Sequence, residues 1–360
     1  MIPVVHARGA LRDIGFTIGR EVGDRVARMV VNYQRLLEQT PQIKLTWQRA
    51  IVQARKYLPF AVEYMPQYVD ELRGIAEGAG ADFEDLLVCN CLEELTSDML
   101  FERCTVVAFG PDHTRDGHVL IGHNEDWMPV DQDLQYIVRA EPEGELPFLA
   151  LTYGGLLCNI GFNAAGIAQC INSVYPNDVR LGIPRVFIGR AVLAAPRIGR
   201  AVYRAAHPRR AAGYNHVLAD ESGELYNVEA TSGLFDPLYG GDEGYLTHAN
   251  HFTSPMLRPY EEQPHQLTGS HVRDNRARRL VKQLARRGNV AVEDVQAILS
   301  DHVNYPGSIC SHSKDLPILD DTATIGSLVI DLNARTMWYC YGNPCEGEFA
   351  PLTMKGRSLP

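Results

Sequence analysis

Apolar positions recur at helical spacing through the first hundred residues, and the texture changes to strand-like runs at Cys104. Tyr68, Leu72, Ile75 and Ala76 share one helical face, and Gly78 and Gly80 close that segment. Asp82 stands where an N-cap belongs, ahead of a helix over 83–95. Cys-Thr-Val-Val-Ala-Phe109 is β-branched and reads as a strand; Asp116-Gly117 marks a turn, and 118–122 reads as the returning strand. A further strand is expected at 136–139. Residues 148–171 carry no charge and are long enough to span a bilayer. Gly154, Gly155, Gly161 and Gly166, with Asn159, Asn163 and Gln169, interrupt the run, so it reads as consecutive buried strands joined by tight turns. A helical stretch follows over 184–206, then a hairpin of 215–219 and 224–229 around Asp220-Glu-Ser-Gly223. Residues 270–287 form a helix with Ala277, Leu280, Val281 and Leu284 on one face and Gly288 at its end. A helix over 292–300 and strands at 324–331 and 336–341 complete the chain. The order predicts sheets packed together and flanked by helices.

Composition narrows the class. Apolar residues make up 45% and charged residues 22% of the 360, as in globular proteins rather than disordered or fibrous ones. A net charge of −10 repels phosphate backbones and anionic lipid surfaces, so neither a nucleic acid nor a membrane is expected as partner. Met1 to Arg8 has neither a basic n-region nor a long apolar h-region, so no signal peptide is read there. The eight cysteines are then expected as reduced thiols in a soluble, cytoplasmic protein.

Cys104 opens a strand and, alone, reads as a core residue. Its company changes that. Cys104-Thr-Val-Val-Ala followed by Asp116-Gly-His-Val-Leu-Ile-Gly-His-Asn-Glu-Asp-Trp127 resembles the start of the catalytic subunit in the penicillin acyltransferase-like family. These N-terminal-nucleophile enzymes are related to acyl-CoA:isopenicillin N acyltransferase and, more distantly, to bile salt hydrolases. The resemblance continues through Leu246-Thr-His-Ala-Asn-His-Phe252, Ser270-His-Val-Arg273 with Arg276, Ser308-Ile-Cys-Ser-His312 and Gly342-Asn-Pro-Cys345. It covers nearly the whole chain in order.

The resemblance implies a four-layer αββα fold and a precursor that cuts itself between Arg103 and Cys104. A helical segment 1–103 and a catalytic segment 104–360 would then remain associated as one structural domain. Relatives commonly carry Gly where this chain has Arg103, although the acyl shift needs only a carbonyl there. Cleavage would leave a free α-amino group on Cys104, whose ordinary pKa of about 7.7 to 8.0 suits a general base. The family match gives Asp126 the new amino terminus to hold, and Asn250 the oxyanion to stabilise; solvated turn residues are the plain alternative for both. Asn172 matches a second pocket asparagine.

Arg273 falls on the apolar face of its helix, whereas Arg278, Arg279 and Arg286 point elsewhere. An inward arginine must be paired, and the match makes it a brace for the nucleophile's carboxylate network; snorkelling to solvent is the alternative.

No metal ligand set is read. His248 and His251 lack further ligands at zinc spacing, and Cys89-x-Cys91 lacks a second pair. No phosphate loop or dinucleotide fingerprint is present, so no cofactor is expected. The reading is a self-processing cysteine amidohydrolase or acyltransferase acting on a small N-acyl substrate. Its rivals are an acyl-CoA-dependent amine acyltransferase, an unprocessed Cys-His hydrolase with His123, His248 or His251 as base, and an uncleaved binding relative.

Overall fold

The computed structural model describes residues 2–41, 43–96, 104–314 and 321–354, so Arg103 lies outside the described residues. Strand β1 (Val4–Gly9) leads into α1 (Leu11–Gln39), α2 (Trp47–Ala54), α3 (Leu58–Tyr64), α4 (Pro66–Ala79), α5 (Phe83–Asn90) and α6 (Leu92–Leu95). Six strands follow: β2 (Thr105–Phe109), β3 (Leu120–Trp127), β4 (Gln135–Pro142), β5 (Phe148–Tyr153), β6 (Ile160–Asn163) and β7 (Ile167–Ser173). Helices α7 (Arg185–Leu193) and α8 (Ile198–Ala205) precede β8 (Tyr214–Asp220), β9 (Leu225–Ala230), β10 (Phe235–Tyr239) and β11 (Tyr245–His248). The chain closes with α9 (Thr268–Arg287), α10 (Val292–Leu299), β12 (Ala323–Asp331), β13 (Thr336–Tyr341) and β14 (Ala350–Thr353).

Among the described residues the strands form two sheets. One runs β1-β4-β5-β6-β7-β8-β9-β10 and the other β11-β2-β3-β12-β13-β14. Val106, Ile121 and Leu328 of the second sheet meet Ile137, Leu149 and Val217 of the first in a core between them. Tyr136, Val138 and Phe148 turn outward under Ile14, Leu72 and Phe187 of α1, α4 and α7. On the opposite side Val107, Phe109 and Val329 turn outward under Ala277, Val281 and Leu299 of α9 and α10. Alternation along each strand therefore feeds two cores at once, and the layers are αββα as expected. No helix among the described residues is long and apolar enough to cross a membrane.

Helices α1 and α4 touch through their backbones. A Cβ at Gly15 would lie 1.9 Å from the Glu71 carbonyl oxygen, and one at Gly78 would lie 2.1 Å from that of Phe16. Behind this seam Arg190 of α7 is fully buried. Its Nε donates to Glu71 Oε2 at 2.9 Å and Nη2 to Glu145 at 3.2 Å, while the guanidinium lies over Tyr68 and Phe148. Removing one partner of such a pair typically costs about 3–5 kcal/mol, because a bare charge stays buried.

The charge-free stretch becomes β5, β6 and β7, and the hairpin and the late helices form where the pattern places them. Differences have local causes. The 83–95 helix is interrupted at Cys91, and Asp82 precedes it without a side-chain capping bond. The returning strand runs on to Trp127 because its polar end, His123 to Asp126, is buried. Strands β1 and β10 are sheet edges with alternately exposed residues, and β10 contains Pro237, a poor strand signal in isolation.

Candidate active site

Cys104 stands at the mouth of β2, a strand flanked on both sides by β11 and β3. Its backbone is left-handed, with φ of +66°, a conformation costing a non-glycine residue of order 1–3 kcal/mol. Its side chain is buried, and Sγ lies 3.7 Å from Glu125 Oε2. Burial, then the Glu125 and Asp126 carboxylates, push the thiol far up; the Asp126 amide and the Arg273 charge oppose them. In the intact chain the sulfur is thus held as a neutral thiol.

Four elements converge on this residue. From α9, Arg273 donates Nη1 to the Cys104 carbonyl oxygen at 2.7 Å and to Thr105 Oγ1 at 3.1 Å, and Nη2 to Asn250 Oδ1 at 2.9 Å. Arg273 is only 4% exposed, inward as its periodicity requires, and Arg278, Arg279 and Arg286 are exposed. It grips the backbone of Cys104 itself. Asn250, in the loop after β11, is fully buried; because Arg273 takes Oδ1, the amide NH₂ must face the other way, where it donates to the Ser173 carbonyl at 3.0 Å. From β3, Asp126 Oδ1 accepts from Thr324 Oγ1 at 2.6 Å. A register shift between Thr324 and Gly326 in β12 sets that threonine opposite the aspartate. Burial raises the Asp126 pKa to about 6, against the pull of Arg273, Thr324 and His123.

Asn172 is buried on β7, one residue before the Ser173 carbonyl that Asn250 binds. It belongs to a row of amides in which Asn215 Nδ2 reaches both Asn172 Oδ1, at 3.4 Å, and Asn227 Oδ1, at 3.3 Å. Its Nδ2 has no hydrogen-bond partner among the described residues. Leaving such a group unmet usually costs about 1–3 kcal/mol. Of the five candidates, Cys104, Asn250 and Arg273 share one hydrogen-bond network, Asp126 adjoins the thiol, and Asn172 stands just behind.

Glu125 was not singled out by the motif reading. Its Oε2 is 2.9 Å from His123 Nε2, and its Oε1 accepts from Tyr153 at 3.3 Å. Strand alternation carries the missing signal. Asn124 turns to the helix layer, where it donates to the Leu299 and Ile309 carbonyls, so His123 and Glu125 share the opposite face with Cys104. The other two histidines are engaged elsewhere. His248 bonds Glu229 at 2.9 Å and the Ala249 carbonyl at 2.6 Å. His251 bonds Ser270, and burial with His248 and His271 beside it lowers its pKa to about 3.

A cavity opens on Cys104. Tyr33, Trp127 and Tyr153 form an aromatic wall with neighbouring ring centroids 6.3 Å apart, and Glu93, Glu125 and Asp126 bring carboxylates. No Lys, Arg or His is among its described lining residues. Glu93 is held in place by Ser173 Oγ at 2.6 Å and by the Tyr214 hydroxyl.

Residues 113–346 match the family model described as acyl-coenzyme A:6-aminopenicillanic acid acyl-transferase. Among curated proteins, the beta-alanyl-dopamine/carcinine hydrolase of Drosophila melanogaster is 25% identical over 96% of this chain and 94% of its own. The acyl-coenzyme A:6-aminopenicillanic-acid-acyltransferase 40 kDa form of Emericella nidulans is 24% identical over 69% and 68%. In three dimensions the chain is similar to the conjugated bile acid hydrolase of Clostridium perfringens, with a TM-score of 0.53 and 12% identity over 71% of this chain and 93% of that one.

Proposed function

The chain belongs to the acyl-coenzyme A:6-aminopenicillanic acid acyl-transferase family, an enzyme family, and from that premise we propose that it is a self-processing cysteine amidohydrolase whose nucleophile is Cys104. The observation that carries the reading is the grip of Arg273 on both the Cys104 carbonyl and Asn250, which ties an amide donor to the backbone of a buried thiol that lines a cavity.

In the activating step Sγ attacks the Arg103 carbonyl carbon, and the peptide nitrogen leaves as the α-amino group of Cys104. Water then hydrolyses the thioester to a carboxylate on Arg103 and a thiol on Cys104. The left-handed φ at Cys104 favours the cut, because rupture of the bond releases that torsion. Activation also supplies the base. The α-amino group accepts the thiol proton as sulfur attacks a substrate acyl carbon, and Asn250 donates to the developing oxyanion. When the tetrahedral species collapses, the C–N bond breaks and the amine departs with the proton. Water then releases the acid from the thioester. Asp126 holds the ammonium form of the amino terminus, and Asn172 is the reserve donor of the pocket.

Hydrolysis is favoured over transfer from acyl-CoA by the cavity's charge. Three carboxylates, with no cation among the described lining residues, repel the phosphates of a CoA ester and accept an amide bearing a neutral or cationic amine. The aromatic wall suits an apolar or aromatic group on that substrate. The Drosophila relative's name describes a hydrolase and the Emericella relative's a transferase, so both directions lie within reach of the family.

Intact-mass measurement tests the processing. Wild type should separate under denaturing conditions into fragments of about 11 and 29 kDa, in proportion to length, and Cys104→Ala should stay whole. A panel of N-acyl amines in water, set beside an acyl-CoA with free amines, tests the direction. A whole but fully active wild type overturns the mechanism. Amine acylation from acyl-CoA without hydrolysis of any amide overturns the hydrolase direction. An inactive, uncleaved chain supports the binding relative.

A further inference from the structure

Behind the active site, two cysteines and two histidines from three separate stretches of chain point their donor atoms at one another. His302 follows α10, Cys310 and His312 lie in the segment before β12, and Cys345 lies in the turn after β13. All four donor atoms fall within 4.8 Å of one another. His302 Nε2 is 3.1 Å from His312 Nε2, which is 3.5 Å from Cys310 Sγ and 3.4 Å from Cys345 Sγ; the two sulfurs are 3.5 Å apart. We propose that these residues form a structural zinc site of the Cys₂His₂ type, independent of the catalytic chemistry.

The spacing is the first argument. Zinc takes thiolates at about 2.3 Å and imidazoles at about 2.0–2.1 Å in tetrahedral array. Tetrahedral geometry then separates two sulfurs by about 3.8 Å, sulfur and nitrogen by about 3.6 Å, and two nitrogens by about 3.3 Å. The four separations in the cluster lie within a few tenths of an ångström of these values, with the nitrogen–nitrogen distance the shortest in both sets. Two sulfurs at 3.5 Å are also well outside the roughly 2.05 Å of a disulfide, and both cysteines are free.

Chemistry is the second argument. Soft thiolates with imidazoles in tetrahedral array select zinc over calcium, magnesium or manganese. The surroundings also resemble an outer ligand shell. Asn343 Nδ2 lies 3.4 Å from Cys310 Sγ, the Cys345 amide points to the same sulfur, and Glu346 stands 4.0 Å from His312 Nδ1, the nitrogen a metal leaves free. Binding would convert both thiols to thiolates and release two protons to solvent.

Location gives the site a purpose. Asn343 also donates to the Ser311 carbonyl at 2.7 Å, and the Ser311 amide donates to Thr324 Oγ1, the hydroxyl that in turn donates to Asp126. A metal here would tie the turn after β13 to the segment carrying Ser311, two hydrogen bonds behind the active-site carboxylate. Sequence spacing does not reveal the cluster, because its two cysteines are far apart in the chain: Cys310 and Cys345 meet only when β12 and β13 pair.

The full chain, kept reduced and stripped with a chelator, should be titrated with Co²⁺ and then Zn²⁺. One Co²⁺ per chain is expected, with the visible bands of four-coordinate cobalt, near-ultraviolet thiolate charge transfer, and displacement by Zn²⁺. Cys345→Ser should weaken Co²⁺ binding at least tenfold, and Cys104→Ala should leave it unchanged. If the serine variant does not fold, alkylation of wild type with and without Zn²⁺ reads the same point, since protection should map to Cys310 and Cys345. A reduced wild-type chain that gives no thiolate–cobalt band overturns the proposal. So does a band that survives loss of Cys345 or disappears with Cys104, or Zn²⁺ protection that maps to other thiols.

Discussion

Arg273 Nη1 lies 2.7 Å from the carbonyl oxygen of Cys104, so a helix from one outer layer holds, by its backbone, the residue that leads into β2. The same guanidinium orients Asn250. The proposed nucleophile and oxyanion donor are thereby set by one rigid fork, and lysine cannot reproduce its geometry.

Arg273→Lys should therefore fold and keep less than a tenth of wild-type turnover, with a smaller change in KM. Arg273→Ala leaves the Cys104 carbonyl and Asn250 Oδ1 without their donor and should lower stability by about 2–4 kcal/mol. Urea unfolding and steady-state kinetics check both. Equal kinetics for the lysine variant and wild type contradict the fork.

Asn250→Ala tests the oxyanion role. The fold should survive by circular dichroism while kcat falls about a hundred- to a thousandfold, as loss of one preorganised donor does. Unchanged kcat returns Asn250 to a purely architectural part.

Much of this site is legible in the sequence, for identifiable reasons. Cys104 alone reads as a core residue and becomes legible only through the family resemblance of the segments around it, and the returning strand does bring Asn-Glu-Asp back beside it. Arg273 is legible because it falls in line with Ala277, Leu280 and Leu284 on the apolar face of its helix. Glu125 is hidden in a polar triplet until strand alternation divides the triplet between two faces. Thr324 is hidden further, since only the register shift in β12 sets it against Asp126, nearly two hundred residues earlier. The α1–α4 seam is invisible for the opposite reason: glycine within a helix reads as a weakness, and its use appears only where a second backbone needs the room.

The raised Asp126 pKa predicts a pH dependence of defined sign. With the folded value near 6 and the ordinary value at 3.8, the native state binds the extra proton between them. Its contribution is full below about pH 4 and is lost as pH rises through 6, by up to about 3 kcal/mol. In uncleaved Cys104→Ala protein, adding Asp126→Asn should flatten the fall in urea-derived stability between pH 4 and 7 by that order. Parallel curves contradict the assignment.

His123 supplies the sharpest test of the base. It is the histidine whose ring shares the cluster with Cys104 and Glu125, so it carries what remains of the Cys-His alternative. If the α-amino group is the base, His123→Gln should retain a rise in kcat/KM with pH governed by one group near 7.7 to 8.0. Disappearance of that limb assigns the base to the imidazole.

Strand β1 gives the molecule an unusual form of partnership. It pairs in parallel with β4 at the rim of one sheet, while Cys104 leads into β2 of the other. Helices α1 and α4, joined by the glycine seam, lie over Tyr136, Val138 and Phe148, and Glu71 pairs with Arg190 of α7, so the segment before Cys104 is held by elements that follow it. The proposed break before Cys104 would therefore produce a heterodimer that never passed through an encounter. Its two halves would share a core from birth. Made separately and mixed, they would have to fold and associate in one event, as complementing fragments do, because neither inherits a finished surface for the other to recognise.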